Sequence, residues 1–453
     1  MKTVANIITI AAASLALTAV PAHGALNFTG LSQPVFQADA QQSSAIEAVY
    51  VLPQTDGVRI SYAATSDRVV WYRYSTPSNP DNMTEVPGVT RDGNVYSIPA
   101  QAGDVGYVIH DGTTQHYYWV TNYVNHRLQL TSLSVSAESA CDRVVLDVAG
   151  SGDEIRYYTV SGRPYVLPRD LKLEYNTLEF DSEQNCWNTV PAVSSQQSVH
   201  ALMSVQAPLC NTEFTLSGDR FLEFWGETVS VSTPLYTATA VSVETTAEQQ
   251  SRDNDNEIKP DAGALGGSAP CVVNFKAYPT DAAIFREWQF SYTEDFADIY
   301  QRYAQDELEY TFDEQGQFYV RFQCGDADGV CFSESPVYAI AIGESKLECP
   351  NAFSPNGDGT NDEWKVSYQS IVDFECHIFN RWGVKMADLT HPSQGWDGKY
   401  RGKTVPSGVY FYVIKARGAD GRQYNLSGDI NILHSRRVSS GTSSGGGSEP
   451  EGE

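Results

Sequence analysis

Short apolar runs alternate with polar turns along most of this chain. Between residues 45 and 136, seven runs rich in Val, Ile, Tyr or Trp each end near Gly, Asp, Asn or Pro, among them AIEAVYVL, RVVWYRYS and HYYWVTNY. Alternation of β-branched and aromatic residues with polar ones is typical of half-buried antiparallel strands. Asp111 and Gly112 are residue types that a tight hairpin turn prefers. The pattern predicts an immunoglobulin-like β-sandwich over residues 25–136.

The same pattern continues in two further blocks. Runs such as CDRVVLDVAG and LKLEYNTLEF predict a second β-rich sandwich over residues 137–245. Residues 246–269 have almost nothing to bury, so we expect a flexible linker or a long exposed loop there. Strand-like runs resume over residues 270–345. In that block the order Cys271, Trp288, Cys324 resembles immunoglobulin-like and polycystic-kidney-disease-type (PKD) sandwiches.

Both ends of the chain depart from this pattern. Lys2 is followed by an apolar run that reaches Val20 and then by small residues around Gly24, which predicts a cleaved signal peptide over residues 1–24. A retained membrane anchor is the alternative, but the run is barely long enough to span a bilayer and stops at Pro21. No later segment is apolar enough to cross a membrane. Residues 435–453 are rich in Ser and Gly and are expected to be disordered.

Length and charge narrow the function classes. The chain has 453 residues, too many for one hydrophobic core. It carries 56 acidic and 30 basic residues and a net charge of −26, so we expect no nucleic-acid partner bound by general attraction. Residues 346–434 carry ten residues of each sign, which marks the C-terminal segment as a separate module.

The chain contains eight cysteines, which in an exported protein predict disulfides. Pairing Cys349 with Cys376 would close the C-terminal module. Pairing Cys271 with either Cys324 or Cys331 would close the block before it. The sequence alone does not choose among the pairings.

The sequence contains no recognisable catalytic constellation. It has no HExxH, GxSxG, Walker or CxxC motif, and no two histidines stand at a helical ligand spacing. We therefore predict no catalytic residue and a non-enzymatic protein. Aromatic residues, 11% of the chain, favour a sandwich core, but on an exposed sheet face they would form a sugar-binding platform. A carbohydrate-binding or carbohydrate-degrading surface protein is the alternative.

The stretch PNAFSPNGDGTNDEW, residues 350–364, raises the question of a metal. The side-chain oxygens of Asn356, Asp358 and Asp362 can converge as the loop turns, and calcium prefers such ligands. The spacing is not that of an EF-hand, because Gly359 comes too early. The other interpretation is a turn whose Asn and Asp side chains bind their own backbone. Calcium is therefore the only candidate cofactor.

Five motifs follow one another in the C-terminal module: PNAFSPNGDGTN, FNRWG, WDG, PSGVYFYVI and SGDINIL. In this order they resemble the gliding-motility-associated C-terminal domain, the type B sorting domain of the type IX secretion system. The matching residues are Pro350, Asn351, Phe353, Asn356, Gly357, Asp358, Gly359, Asn361, Asp362, Asn380, Arg381, Trp382, Gly383, Trp396, Asp397, Gly398, Gly408, Tyr410 and Tyr412. We predict a compact β-sandwich sorting domain over residues 346–434. Trp382, Trp396, Phe411 and Tyr412 are its expected core.

The resemblance implies a route out of the cell. The signal peptide would direct the chain across the inner membrane, and the type IX translocon would recognise the folded C-terminal domain. Such domains usually end close to the terminus, whereas about twenty residues follow this one. The prediction as a whole is an exported, all-β protein of tandem antiparallel sandwiches. It would act as an adhesin, stalk or matrix component with an unknown extracellular ligand or surface component as partner.

Overall fold

The computed structural model describes residues 24–75, 83–258 and 264–433. The predicted signal peptide lies outside the described residues except for Gly24, and the predicted disordered tail, residues 435–453, lies outside them entirely. The chain divides into two compact units, Met1–Leu178 with Thr189–Ala238 and Glu179–Asn188 with Thr239–Glu453. Within the described residues, no helix is long and apolar enough to cross a bilayer.

The first unit begins with a β-sandwich, as predicted. Its strands are β1 (Leu26–Thr29), β2 (Phe36–Ala38), β3 (Ala48–Leu52), β4 (Arg59–Ala63), β5 (Val69–Tyr74), β6 (Thr84–Glu85), β7 (Thr90–Asp92), β8 (Val95–Pro99), β9 (Val105–Asp111) and β10 (Thr114–Asn122), with 3-10 turns at Gln42–Ser44 and Tyr123–His126. One sheet has the order β1-β4-β8-β7 and the other β2-β3-β10-β9-β5-β6. Only the β3–β10 pair among these is parallel. Ile60 and Ile98 from one sheet pack with Trp71 and Ile109 from the other to form the core.

The predicted hairpin at Asp111 is present. Strands β9 and β10 pair so that Thr114 lies opposite Asp111, and Gly112 takes the positive φ of +62° that the turn requires. The buried Asp111 carboxylate accepts N–H hydrogen bonds from Thr65 at 2.7 Å and Ser66 at 2.9 Å, as well as both hydroxyl groups. Burial alone would raise the pKa of Asp111, but these hydrogen bonds outweigh it and hold the pKa well below its usual range.

The second sandwich is also built mainly from antiparallel strands. Its elements are β11 (Gln129–Val135), β12 (Arg143–Ser151), β13 (Ile155–Tyr158), β14 (Pro164–Leu167), β15 (Leu171–Asp181), β16 (Cys186–Gln196), β17 (Leu202–Gln206), β18 (Thr215–Gly218), α1 (Arg220–Phe224) and β19 (Val229–Ser232). The sheets have the orders β11-β12-β17, β13-β14 and β16-β15-β18-β19. Strand β11, which the sequence pattern assigns to the first sandwich, pairs with β12 through Leu133 and Val148. A boundary at residue 136 was therefore too late.

A buried ion pair lies in the first unit. Arg169 Nη1 is 2.5 Å from Asp219 Oδ2, and the two side chains are 1% and 0% exposed. The same guanidinium donates to the carbonyl oxygens of Asp153, at 2.8 Å, and His126. His126 follows the last strand of the first sandwich, whereas the other three residues belong to the second. The Arg169 guanidinium thus links the two sandwiches of this unit through its hydrogen bonds.

The Asp219 carboxylate has further donors. The Tyr123 hydroxyl lies 2.9 Å and 3.0 Å from its two oxygens. The N–H of Leu222 donates to Oδ1 at 3.2 Å, so Asp219 is also the N-cap of α1. Every partner of this carboxylate is a hydrogen-bond donor, which is the arrangement that makes a buried charge tolerable.

The second unit contains a third sandwich. Its strands are β20 (Val243–Gln249), β21 (Leu265–Gly267), β22 (Cys271–Pro279), β23 (Phe285–Ser291), β24 (Ile299–Tyr303), β25 (Glu307–Phe312), β26 (Gly316–Gly325), β27 (Phe332–Glu334) and β28 (Tyr338–Ile342). They form the sheets β20-β22-β25 and β21-β28-β26-β23-β24, with β27 on β26. Trp288 is fully buried between the sheets together with Phe275 and Phe322.

The linker or long loop predicted over residues 246–269 is too long, because both of its ends belong to the third sandwich. Strand β20 pairs antiparallel with β22, and β21 pairs parallel with β28. Ser268 and Ala269 are buried. The stretch is poor in large apolar residues, but backbone ladder bonds do not depend on side-chain hydrophobicity. A prediction that relies on apolar composition therefore misses polar strands at the edge of a sheet.

The third sandwich also bears on the predicted disulfides. Cys271 and Cys324 are buried in the same core as Trp288, as the immunoglobulin-like order suggested, yet both are free thiols. Cys331, the other candidate partner, is disulfide-bonded, but not to Cys271, which is free. Neither expected pairing of Cys271 is formed in the structure. Sequence order places cysteines on facing strands, but it does not set the Cα separation and Cβ direction that a disulfide needs.

The C-terminal domain of the second unit is a further sandwich, as predicted. Its strands are β29 (Lys346–Glu348), β30 (Ala352–Phe353), β31 (Ser367–Gln369), β32 (Ile371–Phe379), β33 (Lys385–Leu389), β34 (Lys399–Tyr400), β35 (Lys403–Thr404), β36 (Gly408–Gly418) and β37 (Gln423–Ile432). The main sheet has the order β30-β37-β36-β32-β33, and β29-β31 and β34-β35 are two-stranded. Trp364, Ile378, Ile414 and Ile430 are fully buried in the core.

Residues 252–258, inside the stretch expected to be a linker, pack on this domain. Tyr368 in β31 exchanges backbone hydrogen bonds with them, since its N–H donates to Asn256 at 3.1 Å and its carbonyl accepts from Ile258 at 2.8 Å. The Asn256 side chain donates to the carbonyl of Val366 at 2.7 Å. The segment thus adds a single parallel bridge, from Glu257 to Tyr368, to the edge of the short β29-β31 sheet.

Candidate functional site

The loop before Trp364 is organised by its own side chains. Asp362 Oδ1 accepts the backbone N–H groups of Asn356 at 2.9 Å and Gly357 at 2.6 Å, and Oδ2 accepts that of Gly359 at 2.7 Å. Asn356 Nδ2 donates to Asp358 Oδ2 at 2.8 Å. The hydrogen bonds from Gly357 and Gly359 hold the pKa of Asp362 below its usual range. Both glycines take positive φ values, +78° and +85°, as a tight Asx-rich loop requires.

These contacts affect whether the loop can bind calcium. Both oxygens of Asp362 and both oxygens of Asp358 already accept N–H donors, which a cation would have to displace. Beside the loop lies a cleft of about 580 Å³, but Lys365 compensates its acidic wall, with Nζ 3.2 Å from Asp255 and 3.3 Å from Glu363. Among the described residues, no group of three or more His, Cys, Asp or Glu is arranged to hold a metal. The loop as arranged is closed by its own hydrogen bonds, which favours the Asx-turn interpretation, and calcium binding stays a prediction.

Two tryptophans anchor this loop to the domain. Trp364 and Trp396 exchange backbone hydrogen bonds at 2.9 Å and 3.0 Å, and both are buried. The Trp364 indole donates to the carbonyl of Pro350 at 2.7 Å, while Phe353 packs on Trp396 at 5.6 Å between ring centres. Gly398 has φ +70°, and a Cβ there would lie 3.3 Å from the Phe353 ring. The first and third motifs therefore form one packed cluster.

Other motif residues hold the backbone. The Asn351 carbonyl accepts the N–H of Asn431 at 2.9 Å, which fixes the start of the domain to its last strand. Asn361, at φ +52°, accepts the N–H of Ser354 across the loop at 2.8 Å. Asp397 accepts the N–H two residues further on at 3.0 Å. These residues account for the fold of the loops rather than for an exposed site.

The second and fourth motifs meet at a different place. Asn380 Oδ1 accepts the N–H groups of Trp382 and Val384, both at 3.0 Å, and Gly383 takes φ +79° in the same turn. Residues of this turn, together with Gly408 and others of strand β36, line a groove of about 380 Å³. The two regions are connected through the core, because one ring, that of Tyr410, contacts both.

The tyrosines of β36 make that connection. Tyr410 is buried, packs on Trp396 at 5.1 Å between ring centres, and donates from its hydroxyl to the Pro406 carbonyl at 3.1 Å. Tyr412 packs on Trp364 at 5.1 Å. Both rings face the core because residues two apart on a strand share a face.

Two of the expected core residues are exposed instead. Phe411 is 43% exposed, since it lies between Tyr410 and Tyr412 and therefore points to the opposite face of β36. Trp382 is 72% exposed in its turn. Trp396 and Tyr412 pack in or against the core as expected.

The cysteines of this domain are thiols. Cys376 is completely buried, and burial raises its pKa to about 12. Cys349 is partly buried and, like Cys376, is free, so the pair expected from the sequence is not formed in the structure. Proximity in a predicted domain does not supply the geometry that the bond needs.

Sequence reasoning missed two contributors to this region. Trp364 ends the loop that raised the calcium question, and an indole at the end of a polar Asx-rich stretch could have marked it as an anchor. The contact with residues 252–258 left no such signal, because it joins positions more than a hundred residues apart through backbone groups and common polar side chains such as Asn254 and Asn256.

The comparisons with known proteins identify two domains of this chain. Residues 347–432 match the family model of the CHU_C Type IX secretion signal domain. The C-terminal domain is a type IX secretion signal. The protein is therefore exported to the cell surface or the extracellular space, and the secretion system handles it. Residues 134–233 match a fibronectin type III domain, which is the second sandwich. No curated protein matches the chain.

Solved structures of tandem sandwiches overlap with this secreted chain at low similarity. A tetra-tandem repeat from the extending region of a large adhesion protein is 12% identical, with 84% of this chain and 96% of that chain covered and a TM-score of 0.21. The immunoglobulin domains 1–5 of Sidekick-1 are 10% identical, with 88% and 81% covered and a TM-score of 0.25. Three N-terminal domains of the bacteriophage RB49 Hoc protein are 10% identical, with 68% and 99% covered and a TM-score of 0.21. Such scores carry no argument about function.

Proposed function

We propose that this chain is a non-enzymatic adhesin, stalk or matrix component that the type IX translocon delivers by recognising its folded C-terminal domain. The observation that carries the proposal is the secretion signal domain, residues 347–432, placed after a series of β-sandwiches. A signal of this kind has one evident task, which is to export what precedes it. The upstream sandwiches would then bind an extracellular ligand or a surface component.

Three fully buried upstream tryptophans favour this proposal over the carbohydrate alternative. Trp71, Trp119 and Trp288 are each no more than 1% exposed, so they fill cores instead of forming a platform. A sugar-binding face needs exposed rings in a row. The large negative charge of the chain also suits a secreted protein that must stay soluble.

Localisation tests the delivery step. The full chain and a version truncated after Gly343 are expressed in a host with an intact type IX system, with a periplasmic marker to report lysis. We expect the full chain at the surface or in the medium and the truncated chain in the periplasm. Export of both versions, or retention of both, would contradict delivery by the C-terminal domain.

Attachment tests the role of the cargo. Cells that lack the protein are compared with cells that export the full chain and with cells that export a chain without residues 25–238. We expect adhesion or matrix cohesion to fall in the last strain although its export is unchanged. Equal attachment in all three strains would remove the adhesive role and leave delivery untouched.

A further inference from the structure

The groove between the turn at 380–384 and strand β36 has an apolar floor. It occupies about 380 Å³, and Met386, Val405 and Val409 contribute to its lining. None of these side chains carries a hydrogen-bonding hydrogen. A hydroxyl-rich sugar would lose hydrogen bonds to water over such a floor, whereas an apolar side chain would gain from burial there.

Trp382 stands at the edge of this groove without a structural reason. The turn that carries it is already held by the Asn380 side chain and by the positive φ of Gly383. These contacts use only the backbone N–H of Trp382, and its indole is 72% exposed. A large exposed ring that the fold does not require is available to a partner.

Two arginines accompany the rings of the groove. The Arg381 guanidinium lies 4.2 Å from the centre of the Trp382 ring, and that of Arg401 lies 5.2 Å from the centre of the Tyr400 ring. Within the part of the chain that the structure describes, neither arginine has an ion-pair partner, and no Asp or Glu lines the groove.

We propose that this groove, named here the Trp382 groove, binds a protein segment of the secretion apparatus that presents a carboxylate beside an apolar or aromatic side chain. The apolar side chain would cover the floor and the free face of Trp382, and the carboxylate would pair with Arg381, the arginine that lines the groove. Trp and Arg are the residue types that dominate binding energy at protein interfaces. The inference rests on the proposed function, because that function supplies a protein partner.

The test uses the full chain in a host with an intact type IX system. Trp382→Ala removes the exposed ring, and Arg381→Glu reverses the charge without opening the core. Phe411→Ala is the matched control, because Phe411 is another exposed aromatic of the same domain that lies outside the groove. The exported fraction is measured together with the melting temperature of each purified protein.

We expect Trp382→Ala and Arg381→Glu each to lower the exported fraction about tenfold or more, the effect of losing one dominant interface side chain. Phe411→Ala should be exported like the natural chain. The three melting temperatures should agree within about 2 °C, because exposed substitutions cost little stability.

Two results would contradict the proposed role of the Trp382 groove without contradicting the proposed function. Normal export of both groove variants, with the Gly343 truncation still retained, would remove the groove and keep the secretion signal. Normal export, with release of the variants into the medium where the natural chain stays on the cell, would assign the groove to a surface component instead of the secretion apparatus. Export of the Gly343 truncation itself would overturn the proposed function and the groove with it.

Discussion

The buried pair of Arg169 and Asp219 makes a quantitative prediction about the first unit. Replacing Asp219 with Asn keeps an oxygen that can cap α1 but removes the negative charge. Arg169 is then left as a cation that is 1% exposed and has only carbonyl oxygens as partners. Breaking a buried pair in this way costs about 3 to 5 kcal/mol. We expect the free energy of local unfolding around Arg169 and Asp219 to fall by that amount.

The double variant separates charge from packing. In Arg169→Met with Asp219→Asn, no unpaired charge remains, and the loss should be smaller than for Asp219→Asn alone. It should not vanish, because the carbonyls of Asp153 and His126 lose a donor at about 1 to 3 kcal/mol each where they stay buried. The difference between the two variants measures the cost of the isolated charge.

Amide hydrogen exchange of the full chain measures these losses locally, since a chain of several domains does not unfold in two states. Peptides covering residues 123–128 and 215–222 should exchange about two to four orders of magnitude faster in Asp219→Asn, at 1.4 kcal/mol per factor of ten. The control is Arg127→Ala, which breaks the exposed Arg127–Glu227 pair and should cost less than about 1 kcal/mol. Equal exchange in the two variants would refute the reasoning.

Three further predictions follow from single groups. Asp111→Asn should lower the free energy of unfolding of the first sandwich by about 2 to 3 kcal/mol at pH 7. Because the folded pKa of Asp111 is depressed, this stabilisation is present above pH of about 4 and is lost as the pH falls toward the folded pKa. Amide hydrogen exchange of the strands around Asp111, compared at pH 7 and pH 3, should therefore show a narrowing gap between variant and natural chain, and a constant gap would contradict the assignment. Chelation of calcium should leave the melting temperature unchanged within about 1 °C, whereas a fall that added calcium reverses would show that the Asp362 loop binds it. Alkylation of the native protein should modify the partly exposed Cys186 first and spare Cys376, whose pKa is raised to about 12. Peptide mass spectrometry measures the rate at each cysteine. Equal rates at Cys186 and Cys376 would argue against the burial of Cys376.

The sequence predicted the fold class because strand alternation is a local signal. Trp71, Trp288 and Trp396 all occupy cores that follow from period-two patterns, and the turn at Gly112 follows from its residue type. The failures came where structure depends on partners distant in the chain. Strand β11 could belong to either neighbour by its own pattern, and only its pairing with β12 decides.

For the candidate site, too, the sequence predicted the features that depend on local pattern and missed those that depend on three-dimensional arrangement. The motif order was sufficient to place the secretion signal, since five motifs in sequence are hard to match by chance. The exposure of Trp382 could not be predicted, because an aromatic residue in a strand-rich segment is usually in a core. Whether Asn356, Asp358 and Asp362 bind a cation depends on where the nearby N–H groups point, which residue spacing does not specify.

The backbone contact between residues 252–258 and Tyr368 changes where a transferable export tag must be cut. A tag that begins at residue 346 would leave two backbone partners of Tyr368 behind, together with the Asn256 side chain that covers Val366. The uncovered edge of β31 would then be free to pair with another chain, which is a recognised route to aggregation. For grafting onto a foreign cargo, the natural cut lies before β20, so that the tag contains the third sandwich together with the C-terminal sorting domain.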